Sequence, residues 1–331
     1  MSQVIDHTTD HTMNSILTIT LNPAIDQTIK VPRLTVGAVQ RAESVHYNAG
    51  GKGIMVASCL ADWGQFSVRA GGLLGESNPQ IFEEALKDKA IQDCFVRVSG
   101  QNRTNIKIVD QNDTTDINLP GIAGTEVALQ RVAATFAEQK PELLVLSGSL
   151  AEGMPVDSYR QLIQAAPQAS KVILDASGEA LIAALKGDRL PFAIKPNEVE
   201  LAQWAGRKLE TTDAILTEAR KLVDLGVALV AISMGGDGAY FLSKAGTLRA
   251  YLKAEKVLTT VGAGDAMVAG MTAAIAEASV KDSADKLDLE RVARLGTAFA
   301  VGTLGFIGPH LPESDHIEAL AQAVQIDKVE K

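Results

Sequence analysis

Short apolar runs rich in β-branched residues alternate along the chain with longer stretches that are amphipathic or rich in Ala. The runs are Ile16 to Leu21, Leu143 to Leu146, Lys171 to Leu174, Phe192 to Ile194 and Leu229 to Ile232. Runs of this length between turn residues read as buried strands, and their alternation with helical stretches predicts an α/β fold with a mostly parallel sheet flanked by helices. Two segments break the rhythm. From Thr28 to Tyr47 and from Asn102 to Leu119, apolar and polar residues alternate without a helical period, as half-exposed antiparallel strands do. They predict a small second sheet over about 28–47 and 102–119, placed as a lid over a site or as a dimerisation surface. Residues 1–14 are polar and lack apolar periodicity, which predicts a disordered tail. With no internal repeat or low-complexity linker, 15–331 reads as one domain carrying its lid.

Composition narrows the function. The 331 residues are 46% hydrophobic, enough for a sizeable core. No run approaches the ~18 apolar residues of a membrane helix, and no basic segment followed by an apolar one suggests a signal peptide, so the expected location is the cytoplasm. The net charge of -9 argues against a nucleic-acid partner. Anionic small substrates remain open, because a local cluster of N–H groups, Lys or Arg can bind them whatever the net charge. Cys59 and Cys94 lack CxxC spacing and read as buried free thiols. The five histidines show no ligand spacing, which argues against a catalytic metal held by His.

Several small-residue segments stand at predicted element junctions. Thr259-Thr260-Val261 reads as the end of a strand and Ala266 to Ala276 as a helix, which puts Gly262-Ala263-Gly264-Asp265 between them. Bare N–H groups at a helix start attract a phosphoryl group, and Asp265 beside them can take a proton from an attacking alcohol. Asp265 is equally a natural N-cap. Asn48-Ala-Gly50-Gly51-Lys52-Gly53 leads into a helical stretch, Ile54 to Trp63. It is either a backbone cradle for a sugar, with Lys52 for a phosphate, or a tight turn with a solvated Lys. It is not a P-loop, since Gly53 stands where Ser or Thr is required. Asn22-Pro-Ala-Ile-Asp26 follows the first strand, where open α/β sheets bind ligands. Asp26 suits two sugar hydroxyls, although Asn-Pro and Asp are also ordinary turn residues. Asn197 and Glu200, after Lys195 and Pro196, have capping-box spacing. The alternative sets them near magnesium through water. Ser233 to Gly238 is a turn or a nucleotide surface, and Arg103 and Asn105 are edge residues or reach into the site.

In this order, these segments resemble the ribokinase-like sugar kinases of the pfkB family, within it the 1-phosphofructokinase and tagatose-6-phosphate kinase branch. The resemblance runs from about Ile16 to Leu320 and includes Ser147-Gly-Ser149-Leu and Asp175-Ala-Ser-Gly-Glu-Ala. It implies a Rossmann-like α/β domain with a β-sheet lid that often serves as a homodimer interface. It also implies Asp265 as the catalytic base and Gly262, Ala263 and Gly264 as the anion hole. Asp26, Gly50, Gly51, Asn105 and Ser149 fall at sugar-contacting positions, with Lys52 and Arg103 for the substrate phosphate. Lys195, Asn197, Ser233, Gly235, Gly238 and Thr260 fall at ATP-side positions, and Glu200 in an NxxE element associated with Mg2+. The expected reaction is ATP-dependent phosphorylation of fructose 1-phosphate at its 6-hydroxyl. Two departures stand out. Met55 occupies a position where this branch usually has Asn, and a thioether cannot donate an amide's hydrogen bonds. Asn102 stands where Thr often precedes the motif arginine. Intact Asp265 opposes a catalytically silent sugar-phosphate sensor. A nicotinamide dehydrogenase would need a glycine fingerprint after the first strand, which is missing.

Overall fold

The strand β1 (Ser15–Thr20) pairs in parallel with β4 (Ser67–Gly75) on one side and β8 (Leu143–Ser147) on the other. From β4 the sheet continues to β5 (Gln92–Val98). From β8 it runs through β9 (Lys171–Asp175), β10 (Ala193–Ile194) and β11 (Leu229–Ser233), all parallel. It ends in antiparallel β12 (Ala239–Ser243), β13 (Gly246–Tyr251) and β14 (Gln325–Lys328). The order β14-β13-β12-β11-β10-β9-β8-β1-β4-β5 thus reverses direction between β1 and β8. At such a switch point the connections leave to opposite sides and open a crevice at the carboxyl ends of the strands. This computed structural model describes residues 15–111, 113–280, 287–306, 308 and 310–329. The predicted tail at 1–14 lies outside them.

The strands are apolar on both faces because both faces are covered. Ile16, Leu143 and Val145 join a core with α1 (Lys52–Trp63), α2 (Gln80–Asp88), α8 (Ala263–Val280), α9 (Leu289–Thr303) and α10 (Ser314–Ala323). Leu17, Ile19, Leu144 and Leu146 join a second core with α3 (Glu126–Gln139), α4 (Ser158–Ala165), α5 (Gly178–Ala184), α6 (Glu198–Ala205) and α7 (Thr212–Leu225). The expected α/β sandwich of layers is present. Cys59 is buried and Cys94 only half-buried, and both are free. Among the described residues, no helix is long and apolar enough to cross a membrane.

A second sheet of four strands stands apart, in the order β3-β2-β6-β7. Its members are β2 (Ala24–Lys30), β3 (Ser44–Gly50), β6 (Arg103–Val109) and β7 (Thr114–Asn118). Both predicted segments contribute to it, with one correction. β2–β3 and β6–β7 are antiparallel hairpins, but the central pair, β2–β6, is parallel, because the two hairpins meet side by side. Asn102 explains its own departure from the family pattern. It is buried; its Oδ1 accepts the Gly75 N–H at 2.8 Å and its Nδ2 donates to Asn78 Oδ1 at 2.9 Å. The amide thereby ties the end of β4 to the entry of β6, which a Thr hydroxyl is too short to do on both sides.

Three further expectations are corrected. Residues 259–261 are not a strand: β13 ends at Tyr251 and an irregular segment leads to α8. Helix α8 begins at Ala263 rather than near Ala266, so Asp265 is its third residue and not its N-cap. Likewise α1 begins at Lys52 rather than Ile54.

Candidate active site

Five chain segments end at the crevice beside β1. Residues after β1 supply Asn22, the first turn of α1 supplies Lys52, the end of β8 supplies Ser147 and Ser149, the end of β9 supplies Asp175, and β6 supplies Arg103. A cavity of about 160 Å³ lies among them, lined by Thr20, Asn22, Lys52, Arg103, Ser147 and Ser149 with the adjoining backbone. Asn22 Nδ2 bridges Ser149 Oγ and the Leu150 carbonyl, each at 3.1 Å, which ties the loop after β1 to the loop after β8. Thr20 Oγ1, Ser147 Oγ and Arg103 Nε are buried without a hydrogen-bond partner. Such atoms are costly alone. Their gathering around one cavity suits a ligand rich in hydroxyl and phosphate oxygens.

The small sheet forms one wall. Asp26 on β2 and Asn105 on β6 are direct partners across the parallel pair, and Asn105 Nδ2 donates to Asp26 Oδ1 at 3.0 Å. Burial raises the Asp26 pKa, against the pull of Asn105, Lys107 and Arg103. Burial also lowers the Arg103 pKa, with Asp26 working the other way. Gly50 must be glycine here. A Cβ at this point would stand 2.3 Å from Asp26 Oδ2, so the carboxylate keeps its place only because β3 presents bare backbone.

Behind this wall, Asp175 is fully buried at the carboxyl end of β9. Its Oδ2 accepts Lys52 Nζ at 3.1 Å and its Oδ1 lies 3.3 Å from Lys195 Nζ. Burial opposes the Asp175 charge, but the two ammonium groups, Lys195 foremost, outweigh it and hold the carboxyl below its ordinary pKa. Burial likewise works against Lys52, where Asp175 and Asp265 prevail and raise its pKa. In sequence Asp175 stands only as part of the Asp175-Ala-Ser-Gly-Glu-Ala motif, with no role of its own. The signal was available, since the residue directly follows an apolar strand at the edge where the sheet binds ligands.

Asp265, 7% exposed, sits in the first turn of α8. Burial, and then the nearby Asp175 charge, push its pKa up to about 7, against Lys52 and Lys195. A carboxyl poised there can exchange a proton near neutrality. The Ala263 N–H makes a long bond to the Thr260 carbonyl at 3.4 Å. Among the described residues, no backbone carbonyl takes the N–H groups of Gly264 or Asp265. These open donors at a helix start, with a Cβ position on Gly264 only 3.5 Å from Lys195 Nζ, form a pocket for negative charge. Gly262 has φ +86, and a Cβ there would meet Met55 Cε at 2.4 Å.

The capping box at α6 is real. Asn197 Oδ1 accepts the Glu200 N–H at 2.8 Å, and Glu200 Oε2 accepts the Asn197 N–H at 2.9 Å. The loop holding Lys195 and Asn197 meets the end of β11 through a parallel Asn197–Ser233 bridge. Gly235 and Gly238 follow in the short turn to β12, further out along the same edge, and exposed Thr260 lies in the segment before α8. The structure thus joins Lys52, Asp175, Lys195 and Asp265 in one electrostatic cluster with Asp26, and sets Asn197 and Ser233 beside it. No hydrogen bond or ion pair ties Gly235, Gly238 or Thr260 to that cluster among the described residues.

The pfkB family carbohydrate kinase pattern matches residues 19–313. The 1-phosphofructokinase of Xanthomonas campestris pv. campestris is 47% identical over 292 residues, covering 86% of this chain and 89% of that one. That of Rhodobacter capsulatus is 42% identical over 317 residues, covering 94% and 97%. The crystal structure of phosphofructokinase-2 from Escherichia coli in complex with potassium superimposes with a TM-score of 0.85 at 28% identity, covering 94% of this chain and 99% of that one. The mostly parallel central sheet with its smaller separate sheet is therefore the fold of a sugar kinase, and the chain belongs to the pfkB family of carbohydrate kinases.

Proposed function

We propose that this chain is a 1-phosphofructokinase, which transfers the γ-phosphoryl group of ATP to the 6-hydroxyl of fructose 1-phosphate and yields fructose 1,6-bisphosphate and ADP. The observation that carries the reading is Asp265: buried, tuned to about 7, and set beside open N–H donors and two lysines. In this reading Asp265 takes the proton of the sugar hydroxyl as its oxygen bonds the γ-phosphorus and the bond to the bridging oxygen breaks. The Gly262-Ala263-Gly264 turn serves as the anion hole, where the open N–H groups of Gly264 and Asp265, with Lys195, steady the charge in transit. Asp26, Asn105, Gly50, Gly51 and Ser149 hold the sugar, with Lys52 and Arg103 for its phosphate. Asn197, Ser233, Gly235, Gly238 and Thr260 receive the nucleotide.

The residues present fit magnesium in a water-mediated form. The described residues contain no group of three His, Cys, Asp or Glu side chains able to hold a metal ion. Glu200 spends one oxygen on its capping box and lies close enough to act electrostatically on Lys52. One carboxylate oxygen with Asn197 suits a cation that keeps most of its waters. When bound, magnesium supplies charge neutralisation for the phosphates.

The small sheet is assigned as the lid of this single domain and as a homodimer contact. Val45, Tyr47 and Ile117 expose apolar surface on it, with Tyr47 57% exposed. The enzyme is assigned to the cytoplasm, where its phosphorylated substrates are held. Assay of ketohexose monophosphates with MgATP tests the substrate. The reading expects fructose 1-phosphate to exceed tagatose 6-phosphate and fructose 6-phosphate in kcat/KM by at least about tenfold; a smaller ratio overturns it.

A further inference from the structure

Met55 reaches the phosphoryl-transfer site from a side that none of the roles above uses. It lies three residues after Lys52 on α1, so the two side chains leave one face of the helix. Lys52 runs to Asp175, while the Met55 methyl rests on Gly262, 2.4 Å from where a Cβ would stand, with the sulfur 4.0 Å from it. The methyl therefore covers the face of the Asp265 turn that a side chain would otherwise fill. Met55 is half-buried, and its remaining surface is open to solvent.

The polar groups of this site attract water: the Asp265 carboxyl, the two ammonium groups, and the open N–H groups of Gly264 and Asp265. A thioether donates no hydrogen bond and accepts only weakly. The kinase reading above, on which this inference rests, gives water an opening. A water oxygen can bond the γ-phosphorus as the bond to the bridging oxygen breaks, with ADP and phosphate leaving and the water proton passing to Asp265. The same base serves a sugar hydroxyl and a water molecule alike, so selection between them has to come from access. We propose that Met55 is the water-excluding wall of the phosphoryl-transfer site and sets the partition between sugar phosphorylation and ATP hydrolysis.

The test compares Met55→Ala and Met55→Ser, which remove the wall, with Met55→Leu, which keeps its apolar bulk. The ratio of ADP formed to sugar bisphosphate formed is measured at saturating ATP and fructose 1-phosphate. It should rise at least about fivefold in the first two variants and stay within about twofold in the third. A second readout needs no turnover. Hydrogen peroxide should oxidise Met55 in the free protein, followed by peptide mass spectrometry, and a non-hydrolysable ATP analogue with fructose 1-phosphate should slow that oxidation at least about fivefold. An unchanged ratio in folded Met55→Ala and Met55→Ser, or unprotected Met55 in the liganded protein, overturns the proposal. If the truncations do not fold, the oxidation readout decides. Wild-type protein that phosphorylates no ketohexose phosphate sinks the kinase reading instead, and leaves Met55 to be judged by its protection.

Discussion

Lys52 and Lys195 share a carboxylate: Asp175, fully buried, takes the first at 3.1 Å through Oδ2 and faces the second at 3.3 Å through Oδ1. The lysine assigned to the sugar phosphate and the lysine assigned to ATP are thereby held at a fixed spacing. Asp175→Asn keeps the shape and removes the charge. It should lower kcat/KM for both substrates, by about 10–100-fold, because neither ammonium is then held in place. Since the Asp175 charge also raises the Asp265 pKa, the acidic limb of the pH profile should move to lower pH. Asp175→Ala should cost about 3–5 kcal/mol in denaturant unfolding, as it leaves nearly buried Lys195 unpaired.

Asp265 accepts a proton only when ionised. Log kcat/KM should therefore fall with a slope near one as pH drops below about 7. Asp265→Asn should reduce kcat by about 10²–10⁴ with circular dichroism unchanged.

The same residue should cost stability. Its pKa is raised from 3.8 to about 7 on folding, so the folded state binds its proton more tightly than the unfolded chain. That contribution is complete below 3.8 and is lost as pH rises through about 7. Asp265→Asn, neutral throughout, should melt about 2–4 °C above wild type at pH 8 and by a smaller margin at pH 5.

Gly262→Ala strains the chain twice, through φ +86 and through the Met55 methyl in the path of the new Cβ. A fall in kcat of at least about tenfold is expected, with a loss of about 1–3 kcal/mol in stability. Met55→Ala in the same background should recover part of the stability, as the collision is then removed, and thermal melting of the double variant checks this.

Glu200 allows its two roles to be separated. Glu200→Gln retains an oxygen for the Asn197 N–H, so stability should change by less than about 0.5 kcal/mol, whereas Glu200→Ala should lose about 1 kcal/mol. If the carboxylate serves magnesium, both variants should require more Mg2+ for half-maximal activity. An unchanged requirement in Glu200→Gln would leave only the capping role.

The layered sheet was legible because period-2 and period-3.6 patterns are local, and the strands at 143–146, 171–174 and 229–232 fell where the apolar runs stood. The α6 capping box was legible for the same reason, since its partners lie three residues apart. What local pattern could not supply was pairing. The parallel β2–β6 junction depends on two hairpins meeting across a long stretch of chain, and the role of Asp175 depends on two lysines from other segments. At 259–261 the β-branched residues Thr259, Thr260 and Val261 suggested a strand by propensity, but the sheet has no free edge there and the segment leads straight into α8. Met55 stands out in sequence as a departure from the family pattern, yet only its contact with Gly262 shows what it touches.

Asp26 and Asn105, bonded across β2 and β6, are 79 residues apart in the chain. During synthesis β2 must therefore wait for β6 before the sugar-side wall can form, and the base arrives only with α8, late in the sequence. A nascent or truncated chain holds the parts of one substrate pocket without the group that would use it. Phosphoryl transfer should therefore switch on as a single late event, once the chain is nearly complete, and partly made protein should hydrolyse no ATP while it waits on the ribosome.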